Sequence, residues 1–277
     1  MVSRKRTIPV SLTGILVLVV FGSCTVDLAG LFGSDDMNAR FFERNTFNFL
    51  TPDTRTLSLG DEYAFLVLSD THIEGRDAFG LENLASVIDD TIKFVVITGD
   101  ITQSGTREEV QRFIEIAQTL GVPCYPMLGN HDVYFGNWSV WKDLIGSSTY
   151  RIDTQDNSTT LLILDTANAS MGKEQIDWLE EELKTARSRV FIFTHTNLFV
   201  EGMGDLQQLT DMRERARIMA LLQGRCDAMF TGHVHKRIIK TLGGVEYITI
   251  EDYRSKKTYL HVQVRGGGFE YTFRKLQ

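Results

Sequence analysis

Tyr63–His72 reads YAFLVLSDTH, a run of apolar residues of strand length followed at once by Ser, Asp, Thr and His. A short, continuous apolar run bounded by polar residues predicts a strand buried on both faces, as inside a layered α/β body. The same pattern recurs in KFVVIT (Lys93–Thr98), VPCYPML (Val122–Leu128), TTLLIL (Thr159–Leu164), RVFIFT (Arg189–Thr194) and DAMFT (Asp227–Thr231). Amphipathic helical stretches lie between them. REEVQRFIEIAQTL (Arg107–Leu120) puts Val110, Phe113, Ile114 and Ile116 near one face, and KEQIDWLEEELKTAR (Lys173–Arg187) spaces Ile176, Leu179 and Leu183 at i, i+3 and i+7. A helix-like run from Leu209 to Leu222 ends before Gly224, a suitable residue just past a helix C-terminus. Beyond His235 the pattern alternates and is broken by glycine pairs, in RIIKTLGGVEYITI (Arg237–Ile250) and KTYLHVQVRGGGFEYTF (Lys257–Phe273). These predict antiparallel hairpins. The expectation is one α/β domain over residues 61–277, layered and closed by β-rich hairpins.

The residues that close the buried strands carry the chemistry. They are Asp70-Thr71-His72, then Gly99-Asp100, then Gly129-Asn130-His131-Asp132, then His195, and finally Gly232-His233-Val234-His235. In open α/β sheets ligands bind at the carboxyl ends of strands. Five of the six histidines fall at such ends; only His261 lies elsewhere. In FTGHVHK (Phe230–Lys236), His233 and His235 share a face if the chain is extended, although such a pair taken alone could sit on a solvated strand. The set Asp70, His72, Asp100, Asn130, His195, His233 and His235 mixes oxygen with imidazole nitrogen. That mixture suits zinc, manganese or iron rather than calcium or a thiolate cluster. Seven ligands are too many for one ion and fit two ions sharing a carboxylate, a clamp suited to phosphoryl chemistry. Gly232 lets the backbone turn close to such a site.

Charge limits the partners. Arg4, Lys5 and Arg6 are the only charges before Asp27, so residues from Cys24 onward carry 26 basic and 36 acidic side chains. A body that acidic is not built to coat a duplex phosphate backbone, but it can take a phosphorylated small molecule where a local cation supplies positive charge. The RKR cluster precedes a mostly apolar run from Ile8 to Phe21, which reads as a signal peptide over residues 1–23 and is short for a membrane span. FGSC (Phe21–Cys24) resembles the lipobox of bacterial lipoproteins, with Phe21 in place of the usual Leu. On that resemblance Cys24 is lipidated, residues 24–60 form a tether that could end in a short helix or strand against the body, and the protein is exported and anchored to a bacterial membrane. Cys124 and Cys226, each beside an apolar segment, read as buried free thiols rather than a disulfide.

In this order, DTH, GDITQSG, GNHD, a strand-end His and GHVH resemble the calcineurin-like metallophosphoesterase superfamily, over Tyr63 to about Ile250. LDTANASMGKEQIDWLEEEL (Leu164–Leu183) is similar to the branch that includes cyclic-nucleotide phosphodiesterases and purple acid phosphatases. The resemblance implies a four-layered α/β/β/α sandwich of two mixed sheets flanked by helices. It implies that Asp70, His72 and His235 hold one transition-metal ion (manganese, zinc or iron), that Asn130, His195 and His233 hold a second, and that Asp100 bridges them. His131 would face the substrate, stabilising a phosphoryl oxygen or protonating the leaving group. The implied reaction is hydrolysis of phosphate mono- or diesters by in-line attack of a metal-bound hydroxide.

Three positions depart from relatives. Gln103 stands where some carry an Asp partner for the catalytic His and purple acid phosphatases an iron-binding Tyr, which argues against an iron–tyrosinate centre and leaves Asp132 or water to partner His131. Ser104 replaces a phosphate-gripping Arg of protein Ser/Thr phosphatases. Thr196-Asn197 follows His195 where His-Pro is common. Tyr134, Trp138 and Trp141 read either as packing for an inserted helix, the favoured reading, or as a wall over the site. Arg151, Arg213 and Arg215 could grip phosphate, with surface solvation the default. Alternatives on the same residues are a nuclease, a lipid-pyrophosphate hydrolase, or a surface lipoprotein that binds metal or a phosphorylated ligand without turnover.

Overall fold

The apolar runs form two sheets in the computed structural model, which describes residues 37–44, 57–60, 62–199 and 208–276. The signal peptide and Cys24 readings lie outside those residues. Tyr63–Leu68 (β1) pairs in parallel with Ile92–Ile97 (β2), which pairs in parallel with Cys124–Pro126 (β3). On its other side β1 runs antiparallel to Thr258–Arg265 (β10), and Gly268–Lys275 (β11) completes the order β11-β10-β1-β2-β3. The second sheet contains Tyr150–Asp153 (β4), Thr159–Ile163 (β5), Arg189–Phe193 (β6), Ala228–Thr231 (β7), Ile238–Leu242 (β8) and Val245–Thr249 (β9). Its order is β4-β5-β6-β7-β9-β8, parallel from β5 through β7 to β9 and antiparallel at both edges.

The period of two along each strand decides the layering. From β1, Phe65 and Val67 face the other sheet and join Phe94, Phe191, Phe193 and Phe230 in the central core. The Phe65 ring stacks on Phe94 at 4.6 Å and meets Phe230 edge-on at 5.9 Å. Leu66 and Leu68 face the opposite way, onto Arg107–Ala117 (α2) and Trp138–Leu144 (α3) through Val110, Phe113 and Trp141. Lys173–Lys184 (α4) and Met212–Leu222 (α5) cover the outer face of the second sheet with Leu179, Ile218 and Leu222. The layers are therefore helix, sheet, sheet, helix.

Local signals set the boundaries. Thr106 and Glu109 cap α2 reciprocally. Asp211 caps α5, so the helix begins three residues later than the apolar run at Leu209. Gly224, at φ 68°, accommodates the left-handed turn after α5. The expected strand Val122–Leu128 shortens to three residues at the sheet edge, where Pro123 and Pro126 have no N–H to donate. The glycine-pair hairpins form as expected but belong to different sheets, β8–β9 to the second and β10–β11 to the first. Within residues 24–60, Met37–Phe42 (α1) packs against α4, and Leu57 bridges to Thr154. Trp138 and Trp141, on the inserted helix α3, are buried in the core. Cys124 and Cys226 are buried free thiols.

Candidate metal centre

The carboxyl ends of β1, β2 and β3 in one sheet and of β6 and β7 in the other meet at one edge of the sandwich. Backbone bonds lock the loops together there: Asp70 N–H donates to Gly99 O, His72 N–H to Asp100 O, and Gly232 N–H to His195 O. Bonds between the sheets join them, with His195 Nδ1 2.8 Å from Thr98 O and His233 N–H donating to Asp70 Oδ2. Close approach needs glycine. A Cβ on Gly129 would collide with the Asp100 carboxylate, and one on Gly232 with Ser69 and Asp70. Asp70, His72, Asp100, His233 and His235 all have positive φ, between 45° and 73°. Side chains with a Cβ rarely hold that conformation unless the surroundings enforce it, and such residues cluster at functional sites.

All eight expected residues come together. His195 Nε2 lies 3.1 Å from Asn130 Oδ1, 3.3 Å from Asp100 Oδ2 and 3.1 Å from His233 Nδ1. On the other side, Asp70 Oδ1 lies 3.2 Å from His235 Nε2 and 3.9 Å from His72 Nε2. Asp100 Oδ2 stands between the two groups, 3.9 Å from His72 Nε2 and 4.0 Å from His131 Nε2. Three trios, Asp70/His72/His235, Asp100/His195/His233 and His72/Asp100/His131, each bring ligand atoms within 4.8 Å of one another.

The chemistry of these donors fits metal ions. Because Thr98 O only accepts, His195 Nδ1 carries a proton toward it, which leaves Nε2, facing Asn130 and Asp100, as the nitrogen that can exchange its proton for an ion. Asp70 Oδ1 and both nitrogens of His72 are buried with no hydrogen-bond partner. Buried lone pairs that face one another are costly unless a cation lies among them. The titration behaviour reports the same demand for positive charge. Burial disfavours a charged His195, yet the Asp100 carboxylate outweighs it and pushes the imidazole up to about 9. Burial also tends to raise Asp70 and Asp100, but the His235 and His195 imidazoles hold both carboxyls low. His72 is pushed down to about 4 by burial, against the pull of Asp100 and Asp70.

His131 does not use Asp132. Its Nδ1 lies 2.8 Å from the main-chain oxygen of Gln103, while Asp132 turns inward and accepts from Ile101 N–H, Thr102 N–H and Oγ1, and Gly129 N–H. The expectation of Asp132 or water as partner is corrected: four donors in the surrounding loops claim Asp132 first. The Gln103 side chain points away and accepts from Arg254. Tyr134 departs from the packing reading shared with the tryptophans. Its ring lies 4.4 Å from the His131 ring and its hydroxyl accepts from Asn130 Nδ2 at 2.8 Å. Arg151 pairs with Asp153 and Glu182. The sequence reading missed Arg254, which the chain fold alone brings beside Gln103.

The chain resembles known proteins along the same stretch. The family model for calcineurin-like phosphoesterase matches residues 63–237. A probable glycerophosphodiester phosphodiesterase of Arcobacter nitrofigilis is 30% identical over 200 residues, covering 61% of this chain and 70% of that protein. A probable cyclic nucleotide phosphodiesterase of Rhodopseudomonas palustris is 24% identical over 206 residues, covering 66% and 75%. Among solved structures, a purple acid phosphatase from yellow lupin (Lupinus luteus) seeds shares the fold at a TM-score of 0.64 and 12% identity, over 78% of this chain and 52% of that one. With the strand-end motifs, the two-sheet sandwich and this match in hand, the chain belongs to the calcineurin-like phosphoesterase family and is a metal-dependent phosphoric ester hydrolase.

Proposed function

We propose that the protein hydrolyses small phosphate esters, diesters before monoesters, at a two-ion centre held by Asp70, His72, Asp100, Asn130, His195, His233 and His235. One observation carries the reading: Asn130 Oδ1 and Asp100 Oδ2 both lie within 3.3 Å of His195 Nε2, while Nδ1 of the same ring is committed to Thr98 O. In the assignment of ligands, Asp70, His72 and His235 serve one ion, Asn130, His195 and His233 the other, and Asp100 both. When bound, such a pair lowers the pKa of an attacking water and neutralises charge on the ester oxygens. The rest falls to the chain. Asp100 Oδ1 accepts the His131 N–H at 2.9 Å, which ties the shared carboxylate to the loop bearing His131. Gln103 O holds the Nδ1 proton of His131, so Nε2 is the nitrogen that, in the protonated ring, can deliver a proton to a leaving alkoxide or bond a phosphoryl oxygen. The preference for diesters is supported by two relatives named for glycerophosphodiesters and for cyclic nucleotides. The acidic body favours a small substrate over duplex nucleic acid.

We also infer that the enzyme is exported and tethered by a lipid on Cys24, on the strength of the basic cluster, the apolar run and FGSC. Among the described residues no helix is long and apolar enough to cross a membrane. The test uses the purified protein loaded with manganese, zinc or iron and offered an aryl phosphodiester and monoester, glycerophosphodiesters and cyclic nucleotides. Turnover is expected with diesters, and Asp100→Asn should abolish it while leaving the fold intact by circular dichroism. Fewer than two bound ions per chain at saturating metal, or full activity in Asp100→Asn, would overturn the proposal.

A further inference from the structure

Asn130 is the neutral member of the proposed ligand set, and a carboxamide has two chemically opposite ends. Only its oxygen can face a cation; its NH₂ group needs an acceptor. In the structure the amide oxygen of Asn130 lies 3.1 Å from His195 Nε2. A half turn of the amide would bring the NH₂ end there instead, the wrong orientation for metal binding, and any lone pair left bare on Nε2 would favour that turn. The opposing pull comes from Tyr134, whose hydroxyl accepts from Asn130 Nδ2 at 2.8 Å. The phenol is itself fixed in place, because its ring lies 4.4 Å from the His131 imidazole, and His131 is anchored through Nδ1 to Gln103 O. It comes from Tyr134 in HDVYFG, the short turn that follows Asn130, so ligand and support arrive on one segment.

We propose that Tyr134 is a positioning residue for the ion held by Asn130, His195 and His233: its hydroxyl takes the Asn130 NH₂ and thereby turns the amide oxygen toward that ion. The inference rests on the two-ion reading above. Partners that orient metal ligands from behind change metal affinity by about 10–100-fold when removed. One of the two ions should therefore respond to Tyr134, and the ion of Asp70, His72 and His235 should not.

The experiment is calorimetric titration of Mn²⁺ into the metal-stripped full chain, for wild type, Tyr134→Phe, Asn130→Asp and the double variant. Wild type should bind two ions in separable phases. Tyr134→Phe should weaken one phase by roughly 10–100-fold and leave the other unchanged, the unchanged phase reporting that the variant is folded. Activity of Tyr134→Phe should fall at limiting Mn²⁺ and recover at saturation. In the Asn130→Asp background both ends of residue 130 are oxygens, so loss of the Tyr134 hydroxyl should cost that phase far less. Equal weakening of both phases, no weakening, or the same loss in both backgrounds would each overturn the role assigned to Tyr134. A wild-type isotherm with a single ion would overturn the two-ion reading itself, and this inference with it.

Discussion

With its Nδ1 proton committed to the Gln103 carbonyl, His131 exchanges a proton only through Nε2, which faces Asp100. General acid catalysis through that nitrogen, the role proposed for His131, contributes about 10²–10⁴-fold to rate. Replacing His131 with Gln should lower kcat by that order on alkyl esters, whose leaving alkoxide needs the proton, and by less on aryl esters, whose leaving group is already stable. Metal content should stay as in wild type. An equal fall on both ester types, or lost metal, would assign His131 a structural or ligand role instead. The identity of the residue was legible in GNHD, but its partner was not. A main-chain oxygen leaves no trace in residue identity, and nothing local to Asp132 says that Ile101 and Thr102, some thirty residues away, will claim its carboxylate.

At the scale of elements, α1 is the informative case. Its Arg40 is completely buried, with Nε 2.7 Å and Nη2 3.0 Å from the two oxygens of Asp165 and a further bond to Asn168, both in the loop after β5. Glu43, just past the helix, accepts from the Trp138 indole and pairs with Lys142 on α3. The segment thus bridges the loop after β5 to the helix inserted behind His131. Removing one partner of a buried pair strands the other charge, at about 3–5 kcal/mol. Arg40→Ala should therefore destabilise the protein by that amount in urea titration, whereas Arg40→Met with Asp165→Leu should cost much less. A loss below about 1 kcal/mol, the value of an exposed pair, would mean that α1 is not docked in solution. Such a helix is hard to see in the sequence, because six residues with a central Arg have no apolar period to betray burial. The long apolar runs gave their strands away. The hairpins were equally plain locally, but their assignment to different sheets was not.

For the whole molecule, stability couples to the charges gathered between the sheets. His72 is kept neutral by burial and pushed down to about 4, so the unfolded chain gains a proton first as pH drops; its contribution is present above the ordinary value of 6.5 and fades toward about 4. His195 has the opposite sign. Asp100 overcomes the cost of burial and raises it to about 9, so its contribution is complete below 6.5 and is lost as pH rises through about 9. Melting temperatures of the chelator-treated chain should accordingly peak near neutral pH and fall on both sides. Metal should flatten the alkaline limb, since an ion takes the place of the His195 proton. A melting temperature that climbs steadily to pH 9 would contradict this balance.

The sequence by itself determined the buried strands, the covering helices, the terminal hairpins and the identity of the polar residues at the strand ends. Those follow from local periodicity and from residue chemistry, which are properties of short stretches. Only the tertiary structure decided that five strand ends from two sheets share one point, that the Gln103 carbonyl holds His131, that Tyr134 supports Asn130, and that Arg40 lies beneath Asp165. Each of these joins a backbone atom or a side chain to a partner whose position depends on how the layers stack, and hydrogen bonds and ion pairs across layers leave no periodic signal in the chain that makes them.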